Sequence, residues 1–220
     1  MKVAQTQEIP TQLGQEFGGG YFGGYYSLNG NGVATHALIM APKSARSTQQ
    51  LKITSDATSN TTSSYDGLAN TNAMITAGAA NHPAADYCVN YTGGGFTDWY
   101  MPSQYEWHAC LRMYRTAVGE ADSAANNIYA CPQLLTNNYA IGITKQPFFT
   151  ISANDYELDT YWTSTEAPGG RGGTNANYTF SQANGFITTS ATKTGSYYVL
   201  PFRRVAIPTP FLVPPHGDPT

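Results

Sequence analysis

Four histidines, three cysteines and fourteen acidic side chains are the groups through which this chain could do acid–base, nucleophilic or metal chemistry. His36, His82, His108 and His216 are scattered, with no His-x-x-x-His pair and no Cys/His metal spacing. Cys88, Cys110 and Cys131 fit neither a zinc ribbon nor a Cys-x-x-Cys redox pair, and three thiols cannot all pair within one chain. Buried free thiols are expected, Cys88 and Cys110 in the core and Cys131 apart in a loop, because cysteine is among the most buried residue types. There is no Gly-x-Ser-x-Gly elbow and no Gly-Lys-Ser/Thr phosphate loop. Gly18, Gly20 and Gly23 match Gly-x-Gly-x-x-Gly, but they lie inside a β-like run and open no helix, so the dinucleotide reading fails. The carboxylates stand alone in sequence, and only the fold could pair two of them for hydrolysis. His108, beside Glu106 and Arg112, reads as a solvated helix face, and Asp98 as a carboxylate bonded to loop backbone. The expectation is a non-enzyme without cofactor or metal.

What remains is recognition by neutral groups. Residues Ala167 to Asn184 are rich in Gly, Asn, Thr and Tyr, the composition of paratope-like loops in which tyrosine supplies rigid contact area and amides adaptable hydrogen bonds. Arg171 is the only charge between Glu166 and Lys193 and has Gly-Gly on both sides. Arg171, Asn175, Asn177 and Tyr178 are therefore the candidate ligand-binding residues, suited to a saccharide or a protein loop. Two other readings stand beside this one: Tyr178 pointing into the core from an alternating strand, and the whole stretch serving as a plain solvent loop.

These residues need a scaffold, and its clearest element is Gly93 to Arg115. Ser103 and Glu106 have capping-box spacing, Pro102 restricts the entry, and Trp107, Cys110, Leu111 and Tyr114 recur at helical spacing. A helix over about 103–117 is predicted, with Gln104, His108, Arg112 and Arg115 on its other side. A second helix, near 83–91, starts at Asn81-His82-Pro83 and stacks Ala84, Tyr87, Cys88 and Tyr91 on one face, so Cys88 and Cys110 could approach one another. Asp66 can cap a short helix over GLANTNAMITAG, whose apolar periodicity is poor. Phe17 to Tyr26 reads as one glycine-laced strand, returned by Asn29-Gly30-Asn31-Gly32 into residues 35–41. Lys43 to Ser64 reads as a polar surface excursion, and Gly119 to Asp159 as long loops. From Tyr161 the pattern is a β meander, YWTSTE, NYTFSQ, FITTSATK and SYYVLPFRRVAI, with Pro201 marking an edge or bulge. The final IPTPFLVPPHGDPT holds five of 13 prolines and reads as a polyproline-like arm that docks through Phe211, Leu212 and Val213 on its own domain or a neighbouring subunit.

Three blocks carry a family resemblance. Gly95-Phe96-Thr97-Asp98-Trp99-Tyr100-Met101-Pro102-Ser103 with Glu106, then Tyr161-Trp162-Thr163-Ser164-Thr165-Glu166, then Phe202-Arg203-Arg204-Val205 resemble, in order, the signature blocks of the Lcl-type C-terminal domain family. Tyr100 stands where that family usually has Arg, and Trp107 where it usually has Leu. The resemblance implies an α+β, C-type-lectin-like fold: a twisted, mainly antiparallel sheet with two helices and long loops. Residues 16–207 would form it, between an extended lead (1–15) and the proline-rich arm (208–220). The cysteine pair of the related formylglycine-generating enzymes has no counterpart, since no cysteine follows Cys131, and the Glu-Pro-Asn, Gln-Pro-Asp and Trp-Asn-Asp motifs of calcium-dependent lectins do not occur.

Composition agrees with a binding body. Only 11% of the 220 residues are charged, against roughly 25% in an average soluble domain, and there are 16 Tyr and 22 Gly. A net charge of −3 without a basic cluster offers no footprint for nucleic acid. No apolar run approaches a membrane span, and the first residues lack the apolar core of a secretory signal, so they read as a mature end. Such domains are common in bacteriophage and prophage proteins. The expectation is a virion component, a tail-fibre, tail-tip or other appendage protein that self-associates, contacts other virion proteins and binds a host surface saccharide or protein. The alternatives are a capsid decoration or minor structural protein, and a polysaccharide-acting hydrolase.

Overall fold

The computed structural model describes residues 8–11, 14–31, 33–110, 160–167, 176–181 and 186–212. The architecture is α+β, two mainly antiparallel sheets with few helices. The first sheet has the order β1 (Glu16–Phe17), β2 (Gly20–Tyr26), β3 (Val33–Met40), β9 (Phe202–Leu212). The second has the order β4 (Ser47–Gln50), β8 (Ser196–Val199), β5 (Thr160–Glu166), β6 (Ala176–Ser181), β7 (Phe186–Thr192).

The glycine run expected as one strand instead turns back on itself. Gly18 (φ 57°) and Gly19 (φ 85°) take the two left-handed positions that a two-residue hairpin turn requires, and they separate β1 from β2. The Asn29-Gly30-Asn31 turn returns the chain as expected: β3 pairs antiparallel with β2 from Tyr26↔His36 to Tyr21↔Met40. Pro201 does more than mark a bulge. It splits the last run between the two sheets, β8 lying parallel to β5 and antiparallel to β4, while β9 pairs with β3. The meander therefore ends at β7, and β8 crosses back.

The proline-rich arm begins inside a strand. β9 continues through Pro208 and Pro210 to the pairs Ala34↔Phe211 and Val33↔Leu212, and the Phe211 ring sits edge-on to Tyr25 at 5.0 Å. Extension is thus β rather than polyproline-like up to Leu212, and Phe211 docks on its own domain. The prolines are tolerated because β9 is an edge strand, where a missing N–H costs no ladder bond. Val213 lies outside the described residues.

Helix α1 (Gly67–Gly78) forms where Asp66 accepts the Ala69 N–H at 2.9 Å, and α2 (Pro83–Asn90) starts on Pro83. Helix α3 (Gln104–Cys110) opens on the expected capping box: the Ser103 N–H donates to Glu106 Oε2 at 2.8 Å and the Glu106 N–H to Ser103 Oγ at 3.3 Å. Residues 111–117 of the predicted helix lie outside the described residues. The core divides in two. One part gathers Trp99, Trp107, Tyr161, Phe202 and Cys110 beneath the first sheet, and the other Trp162, Met74, Met101 and Cys88. Cys88 and Cys110 are both buried and free, in separate clusters, so the suggested approach does not occur. Cys131 is outside the described residues. Trp107 packs on Phe202 at 4.8 Å and on Tyr161 at 5.1 Å, and truncating an aromatic so placed costs about 3–5 kcal/mol.

The stretch 43–64 is not the surface excursion its composition suggested. Leu51, Lys52, Thr58 and Thr61 are buried, because β4 joins the second sheet and the following loop packs against β5.

Candidate functional site

The three blocks that carry the resemblance meet in space. Tyr100 and Phe202 exchange both backbone hydrogen bonds, at 2.7 and 2.9 Å. Ser164 N–H donates to the Pro102 carbonyl at 2.8 Å, Gln104 N–H to Thr165 Oγ1 at 3.0 Å, and the Trp107 indole N–H to the Trp162 carbonyl at 3.2 Å. Four of the six residues of Tyr-Trp-Thr-Ser-Thr-Glu are polar, yet Tyr161 to Glu166 is buried throughout. The reason is that β5 leaves its ladder with β6 between Trp162 and Glu166 and spends those groups on α3 and on the 61–64 loop. There, Glu166 N–H donates to the Thr61 carbonyl at 2.7 Å and Thr165 Oγ1 to the Ser63 carbonyl at 2.9 Å.

Two acidic groups organise this junction. Glu106, expected on a solvated face, is fully buried. Its Oε1 accepts the Tyr100 hydroxyl at 2.7 Å, and Oε2 accepts the N–H groups of Ser103 at 2.8 Å and Gly67 at 3.1 Å. Burial pushes its carboxyl up to about 7, and the Ser103 and Tyr100 hydrogen bonds and Arg204 only partly oppose that rise. Arg204 lies 4.0 Å from Glu106 and donates to Asp66 at 2.8 Å. Burial opposes the charge of Arg204, but Tyr100, Asp66 and Glu106 together hold its proton more firmly than usual. One carboxyl group thus ties the starts of α1 and α3, and Arg204 brings in β9. Tyr100 points its hydroxyl into this knot, with burial and then Glu106 raising its pKa.

The second acid is Glu166. Its Oε1 pairs with Lys193 Nζ at 2.8 Å with both side chains almost wholly buried, and Oε2 accepts from Thr58 N–H at 3.0 Å and Thr61 Oγ1 at 2.8 Å. Lys193 also donates to the Asp56 carbonyl at 3.0 Å, and Lys52 to Asp56 Oδ2 at 2.8 Å and the Ala57 carbonyl at 3.1 Å. Two ammonium groups therefore neutralise the oxygens of the 56–61 loop from within. His82 is buried behind it: Nδ1 lies 2.9 Å from the Gly78 carbonyl and so carries the proton, leaving Nε2 to accept from Thr58 Oγ1 at 2.9 Å. Burial lowers its pKa, which keeps the ring neutral. Lys52, Asp56, Thr58, Asn60 and His82 border an open depression of about 690 Å³.

Asp98 departs from expectation. It bonds a side chain rather than loop backbone, its two oxygens receiving Arg203 Nε at 2.7 Å and Nη2 at 2.8 Å. Arg203 Nη1 donates to the Gly18 carbonyl at 2.7 Å, and the guanidinium lies 3.7 Å from the centroid of the Phe96 ring. This fork pins the first hairpin to the loop before α3.

The sequence-predicted ligand residues fall at the edge of this description. Asn177 and Tyr178 belong to β6, with Asn177 opposite Glu166 and the register against β7 shifting across Tyr178. Arg171 and Asn175 lie outside the described residues. Gln104, placed on the polar side of its helix, is buried and donates to Ser64 Oγ at 2.6 Å. Glu166 with Lys193, and Glu106 with Tyr100 and Arg204, were missed as pairs. The available signal was the rarity of charge: Lys193 and the Arg203-Arg204 pair stand in stretches otherwise nearly without it. Among the described residues no three His, Cys, Asp or Glu side chains converge as a metal site, and no helix is long and apolar enough to cross a membrane.

No family model and no curated protein matches the chain. Among solved structures, a fimbrial protein from Bacteroides ovatus ATCC 8483 superposes with a TM-score of 0.42 and 16% identity. The match covers 75% of this chain and 35% of that protein, so the chain spans about a third of its length. A likeness of that extent transfers neither a fold nor a role.

Proposed function

We propose that this chain is a non-enzymatic component of a bacteriophage virion, a C-type-lectin-like domain of the Lcl-type family on a tail fibre, tail tip or other appendage that contacts the host surface. The observation that supports this reading best is the closure of the three resembling blocks on one another through Tyr100–Phe202, Pro102–Ser164 and Asp98–Arg203. That closure gives a rigid junction from which the polar, weakly charged segment 111–159 departs at α3 and to which it returns at β5. The 168–175 segment likewise joins β5 to β6. The Asn, Thr, Gly and Tyr content of these two segments suits a neutral surface partner. The buried acids support the same reading, because Glu106 and Glu166 each hold two or more framework groups in place, and the exposed Asp98 grips Arg203 with both oxygens.

Mass spectrometry of purified virions from a phage or prophage that encodes the chain tests the proposal. The chain is expected among the structural proteins, and its absence would end the reading. Adsorption of the purified protein to host cells separates a receptor-binding appendage from a decoration protein. Release of reducing sugar from host envelope would replace both with a hydrolase.

A further inference from the structure

Helix α2 and the end of β4 border an open groove of about 440 Å³ whose walls include Gln49, Asp86, Tyr87, Asn90, Tyr91 and Thr92. Its size falls within the roughly 300–1,000 Å³ of small-molecule clefts. Tyr87 and Tyr91 share a helical stripe with Ala84 and Cys88, but only the latter two are fully buried; both tyrosines are half-buried and line the groove. The rings are fixed in place. Tyr87 donates its hydroxyl to the Ala45 carbonyl at 2.8 Å, and Tyr91 meets Trp99 edge-on at 5.1 Å. The opposite wall is fixed too, since the Gln49 carbonyl accepts the Trp162 indole N–H at 3.0 Å. Asn90 Nδ2 donates to Asp86 Oδ1 at 2.9 Å and Gln49 Nε2 to Ser47 Oγ at 2.9 Å. These bonds orient the two amides and leave Asp86 Oδ2, Asn90 Oδ1 and Gln49 Oε1 as acceptors without a partner among the described residues.

We propose that this groove is a binding site for a neutral saccharide, one or two sugar units long. A sugar presents clusters of hydroxyl donors along its edge and C–H patches on its faces. Three oriented acceptors beside two fixed tyrosine rings complement both, with little ordering cost left to meet on binding. The one charge in the wall, Asp86, is negative and disfavours acidic glycans. The site stands on the groove alone and does not depend on where the chain is carried or on the 168–184 stretch.

Saturation-transfer NMR and calorimetry on the purified full chain, with maltose, N,N′-diacetylchitobiose and methyl β-galactoside as probes, test it. At least one probe is expected to bind saturably. Asp86→Ala should weaken that binding about tenfold or more, with Gln49→Ala and Tyr91→Ala weakening it less. The triple Arg171→Ala, Asn175→Ala, Asn177→Ala variant should bind like wild type, which separates this groove from the appendage reading. Should Asp86→Ala melt early, Gln49→Ala carries the test. No saturable binding of any probe, undiminished binding by these variants, or displacement of the sugar by tetramethylammonium would overturn the assignment.

Discussion

Tyr100 donates its hydroxyl to Glu106 Oε1 at 2.7 Å, six residues along the chain, in a spot where both side chains are fully buried. A carboxyl so placed has donors around it but no water, and burial outweighs the donors, so the group ionises only near neutral pH.

This gives a pH dependence with a definite sign. The folded chain keeps the Glu106 proton up to about pH 7, whereas an unfolded chain releases it near the ordinary value of 4.5. The stability from this group is full below 4.5 and is lost as pH rises through 7, on the order of 3 kcal/mol in all. Urea unfolding between pH 4.5 and 8 should show that slope in wild type and a flatter one in Glu106→Gln. Equal slopes would place the titrating group elsewhere.

Gly67 sits where a side chain has no room. A Cβ there would strike Glu106 Oε2 and lie 2.5 Å from the Ser103 nitrogen and 2.7 Å from the Met101 carbonyl oxygen. Gly67→Ala is expected to cost about 1–3 kcal/mol despite the better helix propensity of alanine. Asn72→Ala on the exposed side of the same helix should stay within about 0.5 kcal/mol of wild type. Chemical denaturation compares the two, and equal midpoints would show that α1 can shift away from Glu106.

The Glu166–Lys193 pair predicts non-additivity. Lys193→Met strands a buried carboxylate and should cost about 3–5 kcal/mol. Adding Glu166→Gln removes the stranded charge and should recover part of that loss, although Thr58 and Thr61 keep only a neutral acceptor. A double-mutant cycle measures the coupling, and simple additivity would mean that the two charges do not sense each other.

For the proposed ligand residues, changing Arg171, Asn175 and Asn177 together to alanine should leave the melting temperature near wild type. If these residues form an adsorption hot spot, binding to host cells should fall by the equivalent of about 2 kcal/mol or more. Undiminished adsorption by that stable variant would remove these residues from the site.

Local geometry was legible in the sequence wherever a few neighbouring residues decide it. The Ser103–Glu106 capping box, the Asp66 cap, Pro83 at the start of α2 and the Asn29-Gly30 turn depend only on backbone dihedrals and short-range hydrogen bonds, and the structure contains all four. What surrounds an element was not legible. Glu106 and Gln104 looked like solvent residues because one side of a helix reads as polar whether water or a second helix covers it; here α1 and β5 cover it. The polar half of β5 is buried because three distant segments meet it, which strand alternation does not encode. Pro201 announced an interruption, but only the packing of Trp107 on Phe202 and the pairing of β9 with β3 decided that the chain changes sheets there. The groove beside α2 has the same origin. The spacing of Tyr87 and Tyr91 put both on an apolar stripe, and only the packing of the fold left each half-buried at the groove. Short-range dihedral and hydrogen-bond preferences act through neighbours in sequence, whereas burial is a property of what arrives from elsewhere in the chain, and that is settled only when the fold closes.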